Sequence, residues 1–501
     1  MPEHLKPYDV LETRFADLHS IKHAQSVLYW DEAVLMSAGG GAARRESLAA
    51  LATLAHRSLT APELGDLLDA AEANVEGLND WQRANLRAMQ RLHQRAAGIP
   101  EALVQATQIA NARCQQIWRT ARPADDWMSI SQPLAEVVAL ARENAAALGE
   151  ALALEPYDAL LDTYEKGATT KNVTPIFEDL KTFLPGLIDR VLGEQGNVLG
   201  SLEGPFSARD QRRLGEEMMR SLGFDFARGR LDVSHHPFCG GVPDDTRITT
   251  RFDDNDFLES FMAVLHETGH ALYQQGLPSQ WRKQPVGGSL GAAVHESQSL
   301  FIEMQIGRSY EFMAFATPSI RRHLSASDGG KAWTAEEIYA RAIRVRPDYI
   351  RVGADELTYP LHVILRFELE QLLIAGDLGA SEIPDAWNDA MTRYLGVSTE
   401  GNFADGCMQD VHWFSGLFGY FPTYTLGALM AAQWFAAASA SIPDIEAKTE
   451  EGNFGPIVAW LRHQIHGQGR LKTAHELLTD VTGEPLNPDY FKKHLQRRYL
   501  D

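Results

Sequence analysis

Apolar residues recur every third or fourth position over most of this chain, the repeat of helices that bury one face. In the first two hundred residues the repeat predicts helices over Tyr8–Met36, Ala43–His56, Asp80–Ala96, Glu101–Thr120, Pro133–Leu148 and Val173–Val191. The first of these stops at Gly39-Gly40-Gly41, a natural break. From Leu231 to Phe252 the helical period disappears and Gly and Pro cluster. There Thr246, Ile248, Thr250 and Phe252 alternate with Arg247, Thr249 and Arg251, which predicts a strand with an arginine-bearing face. Such a strand either pairs with an extended peptide or forms a structural hairpin with solvated arginines. The helical period returns at Asp256–Gln274, with Leu258, Phe261, Met262, Leu265 and Leu272 on one face and Asp256 with Glu259 as its capping pair.

A second helix begins near Val294, and Thr334 with Glu337 forms a capping box that opens a helix bearing Arg344. Beyond it lie an apolar helical segment, a loop rich in glycine and aromatic residues, an alanine-rich helix over Leu426–Ile442 and a polar helical tail. The expected architecture is mainly α, with a small β-sheet beside a cleft. No repeat or low-complexity linker marks a boundary, so residues 1–501 are read as one domain. Within it, 1–200 form a helical part lining the cleft, 230–430 carry the site and 431–501 form C-terminal helices.

Composition narrows the function classes. A formal charge of -21 disfavours nucleic acid and anionic membranes, which need a basic face. The Leu426–Ile442 run is interrupted by Gln433 and several serines, so it reads as a buried helix and not a membrane span. Cys114, Cys239 and Cys407 lie far apart, which argues against a disulfide framework or a cysteine metal site. With no apolar signal core at the start, a reducing cytoplasm is expected.

The chemistry concentrates in His266-Glu267-Thr268-Gly269-His270, an H-E-x-x-H on the predicted Asp256–Gln274 helix. Residues four apart share a helix face, so His266 and His270 can ligate one metal ion, most often zinc. Glu267, one position round, can take a proton from water at that ion. The bland alternative is a buried helix whose histidines hydrogen-bond in the core. A metzincin needs Gly and His where this chain has Tyr273 and Gly276, so that class is excluded. Glu296, at the start of the next helix, fits the arrangement of Glu-ligated zincins, with Glu303 two turns on as its competitor. His295 points about 100 degrees away from Glu296 on a helix and is a weaker candidate. Such a site hydrolyses amides. A carboxypeptidase also needs a guanidinium for the terminal carboxylate, and Arg247, Arg344 and Arg351 are on offer. Spacing alone does not choose among them.

A wider set of motifs carries a family resemblance. It comprises His236-Pro237-Phe238, Asp245-Thr246-Arg247-Ile248-Thr249, the HETGH, His295-Glu296-Ser297-Gln298, Ile350-Arg351-Val352-Gly353-Ala354-Asp355 and Gly406-Cys407-Met408-Gln409-Asp410-Val411-His412-Trp413. In order and separation it resembles the signature series of the carboxypeptidase Taq family of metallocarboxypeptidases. The likeness runs from the LYWDE around Trp30 to VTGEPLNPDYF near the end.

The resemblance implies a large helical, single-domain zincin of the neurolysin-like kind with a deep cleft, a homodimer, and stepwise removal of C-terminal residues from peptides. It makes His266, His270 and Glu296 the metal ligands and Glu267 the base. Arg351 becomes the leading carboxylate clamp with Arg247 second, and His236, Gln409, His412 and Tyr420 become substrate or oxyanion contacts. One divalent ion per subunit is implied, with zinc, cobalt and manganese all compatible.

The LYWDEAVLMSAGG stretch departs from the Thr and Pro common in relatives, and it is expected to affect local packing alone. His412 beside Trp413, and Tyr420 with Tyr424, could equally be buried core. Asp355 reads as a helix cap, and His463, His466, His475 and His494 as surface residues. Two rivals stay open: an endo-oligopeptidase of the same metal chemistry, and a non-catalytic metal-binding protein.

Overall fold

The structure is a computed structural model that describes residues 6–196, 204–324 and 333–500. Helices α1 (Pro7–Val34), α2 (Gly41–Thr60), α3 (Pro62–Glu72) and α4 (Asp80–Ala97) open the chain. Proline in the first turn starts α1 and α3, where its missing N–H costs nothing, and a capping box between Asn79 and Gln82 starts α4. These helices bury a cluster of their own, with Leu11 and Phe15 of α1 against Leu64 and Leu68 of α3 and Met89 of α4. Asn85 ties that cluster to the rest of the molecule. Its amide donates to Tyr8 Oη and Gln284 Oε1, each at 3.0 Å, and its carbonyl accepts Val286 N at 3.1 Å.

Next come α5 (Glu101–Ala121), α6 (Trp127–Leu152), α7 (Pro156–Tyr164), α8 (Thr170–Glu194) and α9 (Ala208–Ser221). The spacing predicts that α6 starts at Pro133, but it starts at Trp127. Asp126 caps it through Ser129 N at 3.1 Å, and burial of Trp127 and Ile130 outweighs the hydrogen bond lost at Pro133.

Three strands follow, β1 (Gly229–Val233), β2 (Phe238–Val242) and β3 (Asp245–Thr250), in the order β1-β3-β2. The central strand β3 runs parallel to β1, with Leu231 opposite Ile248, and antiparallel to β2, with Cys239 opposite Ile248. The expected alternation holds from Asp245 to Ile248, but Thr249 is buried like Thr250, its hydroxyl accepting from Ser234 Oγ and Phe238 N, and the strand ends at Thr250. Ile248 packs with Leu231, Phe224, Met219, Val264 and Ala271, which fastens the sheet to α9 and to the next helix, α10 (Phe257–Gly276).

The remaining helices are α11 (Ala292–Leu300), α12 (Tyr310–Leu324), α13 (Ala335–Ala342), α14 (Tyr359–Ala375), α15 (Ile383–Leu395), α16 (Pro422–Ser441), α17 (Ile445–Glu450), α18 (Gly455–Gln464), α19 (Ala474–Thr482) and α20 (Asp489–Leu500). One continuous core runs from α5 to α20. The expected capping box of Thr334 and Glu337 opens α13, but the helix stops at Ala342, so Arg344 lies beyond it. There Arg308 Nη1 donates to the Ala342 carbonyl in place of a further helical turn. The alanine-rich α16 is buried from Thr425 to Trp434 and packs along α11. Among the described residues no helix is long and apolar enough to cross a membrane.

Candidate metal centre

Asp256 starts α10 by accepting Leu258 N at 2.9 Å, and the helix then sets the His266 and His270 rings one turn apart, 4.9 Å between centroids. Whether a third donor can join them depends on how closely α11 approaches. Gly269, inside the motif, allows it: a Cβ there would sit 2.3 Å from Gln298 O and 2.6 Å from Ser299 Cα. On the other side Gly427 of α16 leaves room for Glu296, whose Cβ and Cγ would each lie 2.7 Å from an added Cβ. Glu296 Oε1 is 3.9 Å from His266 Nε2, and Oε2 is 3.5 Å from His270 Nε2. The donor atoms of His266, His270 and Glu296 all lie within 4.8 Å of one another.

The surroundings fit a divalent cation. Two imidazoles and one carboxylate are a donor set for zinc and its neighbours. Burial disfavours charge on His266, yet Glu296, Glu303 and Glu267 together raise its pKa to about 10, so the pocket carries an excess of negative charge. Glu303, the sequence competitor for the ligand position, accepts from His266 Nδ1 at 2.9 Å. With a cation in place of the Nε2 proton, that bond would keep the proton on Nδ1 and leave the Nε2 lone pair as the donor. Burial would raise Glu303, but Arg308, donating to Oε1 at 2.8 and 3.2 Å, and His266 hold it down at about 2. His270 Nδ1 meets His295 at two atoms, the carbonyl oxygen at 3.0 Å and Nδ1 at 2.6 Å. Glu267 is buried, Oε2 has no hydrogen-bond partner among the described residues, and burial raises its pKa against the pull of His270 and His266.

A second buried cluster is built on Arg351, Asp410 and Arg366. Asp410 Oδ1 accepts Arg351 Nη2 at 2.8 Å, while Oδ2 accepts Arg351 Nε at 3.1 Å and Arg366 Nε at 2.9 Å. Arg351 also lies over the Tyr424 ring, 4.6 Å from its centroid. Gln409 braces this arginine from behind: its Oε1 accepts Arg351 N at 2.8 Å, and its Nε2 donates to the carbonyls of Tyr349 and Asp405 at 2.8 and 2.7 Å. Both of its amide donors are therefore engaged within the protein. His412 Nε2 lies 3.1 Å from Tyr424 Oη, and burial brings its pKa down to about 4. Tyr359, Tyr420 and Tyr424 connect the two clusters. Burial, with the charge of Glu296 added to it, raises all three hydroxyls, Tyr420 to about 12, so each carries its proton.

The sequence profile described as carboxypeptidase Taq (M32) metallopeptidase matches residues 10–499. The chain belongs to the carboxypeptidase Taq family. It is 39% identical over 482 residues to thermostable carboxypeptidase 1 of Thermus thermophilus, covering 94% of each chain. To thermostable carboxypeptidase 1 of Pyrococcus furiosus it is 36% identical over 495 residues, covering 97% of each. Among solved structures it superposes on Trypanosoma cruzi metallocarboxypeptidase 1 with a TM-score of 0.96 at 40% identity, covering 99% of this chain and 100% of that one.

In this carboxypeptidase Taq family member the other candidate residues have distinct surroundings. Arg247 pairs with Asp245, Nη2 to Oδ2 at 2.8 Å, and covers one side of Trp30 at 4.2 Å from the ring centroid, with Arg230 also on that ring at 4.9 Å. The LYWDE stretch thus does more than pack locally, since its tryptophan seats a candidate site residue. His236 is exposed between β1 and β2, within electrostatic range of Asp410. Asp355 accepts the Leu357 and Thr358 N–H groups, each at 3.0 Å, as a cap does.

His466 and His494 are not surface residues. His466 is fully buried with Nε2 3.0 Å from Gln298 Oε1, and His494 Nε2 lies 3.0 Å from Glu356 Oε1. Sequence reasoning missed Arg366, Tyr359 and the role of Asp410. A signal was available: Tyr359, His362, Arg366 and Glu370 recur at three- and four-residue spacing inside the otherwise apolar α14, the mark of a buried polar stripe. Glu165 was missed too. It caps α11 by accepting Ala293 N at 2.9 Å, from a position just past the end of α7.

Proposed function

We propose that this protein is a metal-dependent carboxypeptidase that releases C-terminal residues from peptides bound in a zincin-type, neurolysin-like cleft. His266, His270 and Glu296 hold one divalent ion, with zinc the first choice for this donor set and cobalt or manganese as alternatives. When bound, the ion supplies Lewis acidity at the scissile carbonyl and at water. The observation that carries the reading is Glu267: a buried carboxylate with an unpartnered Oε2, adjacent in the chain to His266 and within electrostatic range of the other two donors. A purely structural metal site has no use for it.

Glu267 takes a proton from the attacking water, whose oxygen bonds to the carbonyl carbon. It then delivers that proton to the amine nitrogen as the C–N bond breaks. The phenol hydroxyls of Tyr420, Tyr424 and Tyr359, each within electrostatic range of Glu296, are the protonated donors assigned to the developing oxyanion. Arg351 is the clamp for the terminal carboxylate. Its Nε and Nη2 are committed to Asp410, and Nη1 has no hydrogen-bond partner among the described residues. Arg247 and His236 are assigned to the wall of the groove farther from the ion, and His412 to holding Tyr424.

Mass spectrometry of one peptide, supplied with a free or an amidated C-terminus, tests the assignment. The free peptide should yield a ladder shortened from the C-terminus, abolished by chelator, and the amidated one should resist. Glu267→Gln should lower kcat at least 10³-fold with metal content unchanged. Internal cleavage of both peptides would establish the endo-oligopeptidase instead, and chelator-insensitive or absent hydrolysis would leave a binding protein.

A further inference from the structure

An arginine paired with one aspartate is electrically neutral and a poor host for a further anion. Arg351 is so paired, and both partners are buried: the Arg351 side chain is 6% exposed and that of Asp410 10%. The clamp role proposed above therefore needs a source of net positive charge. One lies directly behind it. Arg366 is fully buried on α14 and donates to the Asp410 Oδ2 that Arg351 Nε also uses, with its Nη2 2.7 Å from the same oxygen. Its Nη1 donates to His362 O at 2.5 Å, and its guanidinium lies over the Trp387 ring at 4.4 Å. It therefore reaches no solvent and no substrate.

We propose that Arg366 is a positioning residue for peptide binding: by sharing Asp410 it keeps the Arg351–Asp410–Arg366 cluster one charge positive, so that Arg351 Nη1 attracts a terminal carboxylate. The inference rests on Arg351 being the clamp. Besides the tyrosines, the titratable side chains that face the cluster from α14 and from the loop after Asp410 are His362, Glu370 and His412. Burial drives His362 and His412 towards the neutral form and raises Glu370, the next acid along α14, to about 7, although Tyr157 Oη, Trp413 Nε1 and Gly419 N donate to it at 2.7, 2.8 and 2.8 Å. Below that pH Glu370 is mostly protonated, and above it its charge offsets that of the cluster. In a site this dry, one unit of charge is weakly screened and acts strongly on an approaching anion.

Steady-state kinetics on the metal-loaded enzyme with a free-carboxylate peptide tests this. Arg366→Gln should raise KM at least tenfold and change kcat less than threefold. Arg366→Lys, which keeps the charge, should restore KM to within threefold of the parent. In the background of Arg351→Ala, Arg366→Gln should add almost nothing, because the charge acts through Arg351. A merely structural role predicts the reverse: additive losses, spread over kcat and KM, and no rescue by lysine. Unchanged KM in Arg366→Gln, or a tenfold rise in Arg366→Lys, overturns the inference. Should Arg366→Gln not fold, the lysine variant decides alone on the same threshold. If Arg351→Ala leaves KM unchanged, the clamp reading itself fails; if it raises KM while Arg366→Gln does not, only the inference about Arg366 falls.

Discussion

Spacing leaves Glu296 and Glu303 as rivals for one ligand position, since two helical turns separate them on the same face. The folded chain gives them different neighbours: Glu296 faces both imidazole Nε2 atoms, while Glu303 holds His266 Nδ1 and is held by Arg308. This division predicts different failures. Glu296→Gln should abolish stable metal retention, whereas Glu303→Gln should weaken metal affinity by roughly 10- to 100-fold and leave the ion bindable, as losses of outer partners do. Competition with a chromogenic chelator separates the two; equal losses would return Glu303 to the ligand set. Tyr420 and His412 also change character at this scale. The sequence cannot tell an aromatic core from a row of phenols near a carboxylate, because the distinction is the direction a hydroxyl points.

At the scale of elements, the centre depends on how closely α10, α11 and α16 pack. Gly269 and Gly427 set those distances, and each admits a backbone or side-chain atom where a methyl group would stand. Gly427→Ala should push Glu296 from its position, cost about 1–3 kcal/mol by overpacking, and reduce metal retained after dialysis against chelator. The control is Gly186 on α8, which has nothing within 4 Å of an added Cβ. There alanine should stabilise by up to about 1 kcal/mol through helix propensity, read as a rise in Tm. A Gly427→Ala protein with full metal content and an unchanged Tm would refute the account of the packing. The seven residues Phe301–Gly307 continue α11 as a π-helix. Its wider turn stacks residues five apart, which brings Arg308 onto Glu303. The apolar repeat does not foretell that turn, because one inserted residue shifts the register without changing the composition.

For the molecule as a whole, the buried histidines set its response to acid. Burial lowers the pKa of His466 to about 3 and that of His362 well below its ordinary value. Both stay neutral in the folded state, while the unfolded chain takes up protons below about pH 6.5. Stability is therefore full above that pH and falls as pH drops towards the folded pKa, by roughly 1.4 kcal/mol per pH unit for each group. Urea midpoints measured between pH 7.5 and 5 should decline accordingly, and His466→Gln should flatten the decline; an unaltered slope would exclude His466 as a contributor. We also propose the homodimer implied by the family resemblance: light scattering should give twice the 55.6 kDa of one chain, and a mass of one chain would reject it.

What the sequence determined by itself was the information carried by periodicity and local capping. Helix positions, the Asp256 start of α10, the central strand and the shared face of His266 and His270 all depend on residues within a turn or two of each other. Motif order added the family, and with it Glu296. Tertiary structure alone decided what depends on distant segments meeting: Asp410 shared between two arginines, Trp30 under Arg247, Glu165 capping α11, and His466 buried against Gln298. Those contacts join residues tens to hundreds of positions apart. Burial and direction, which local pattern does not encode, turned them into charge, proton affinity and a place for an ion.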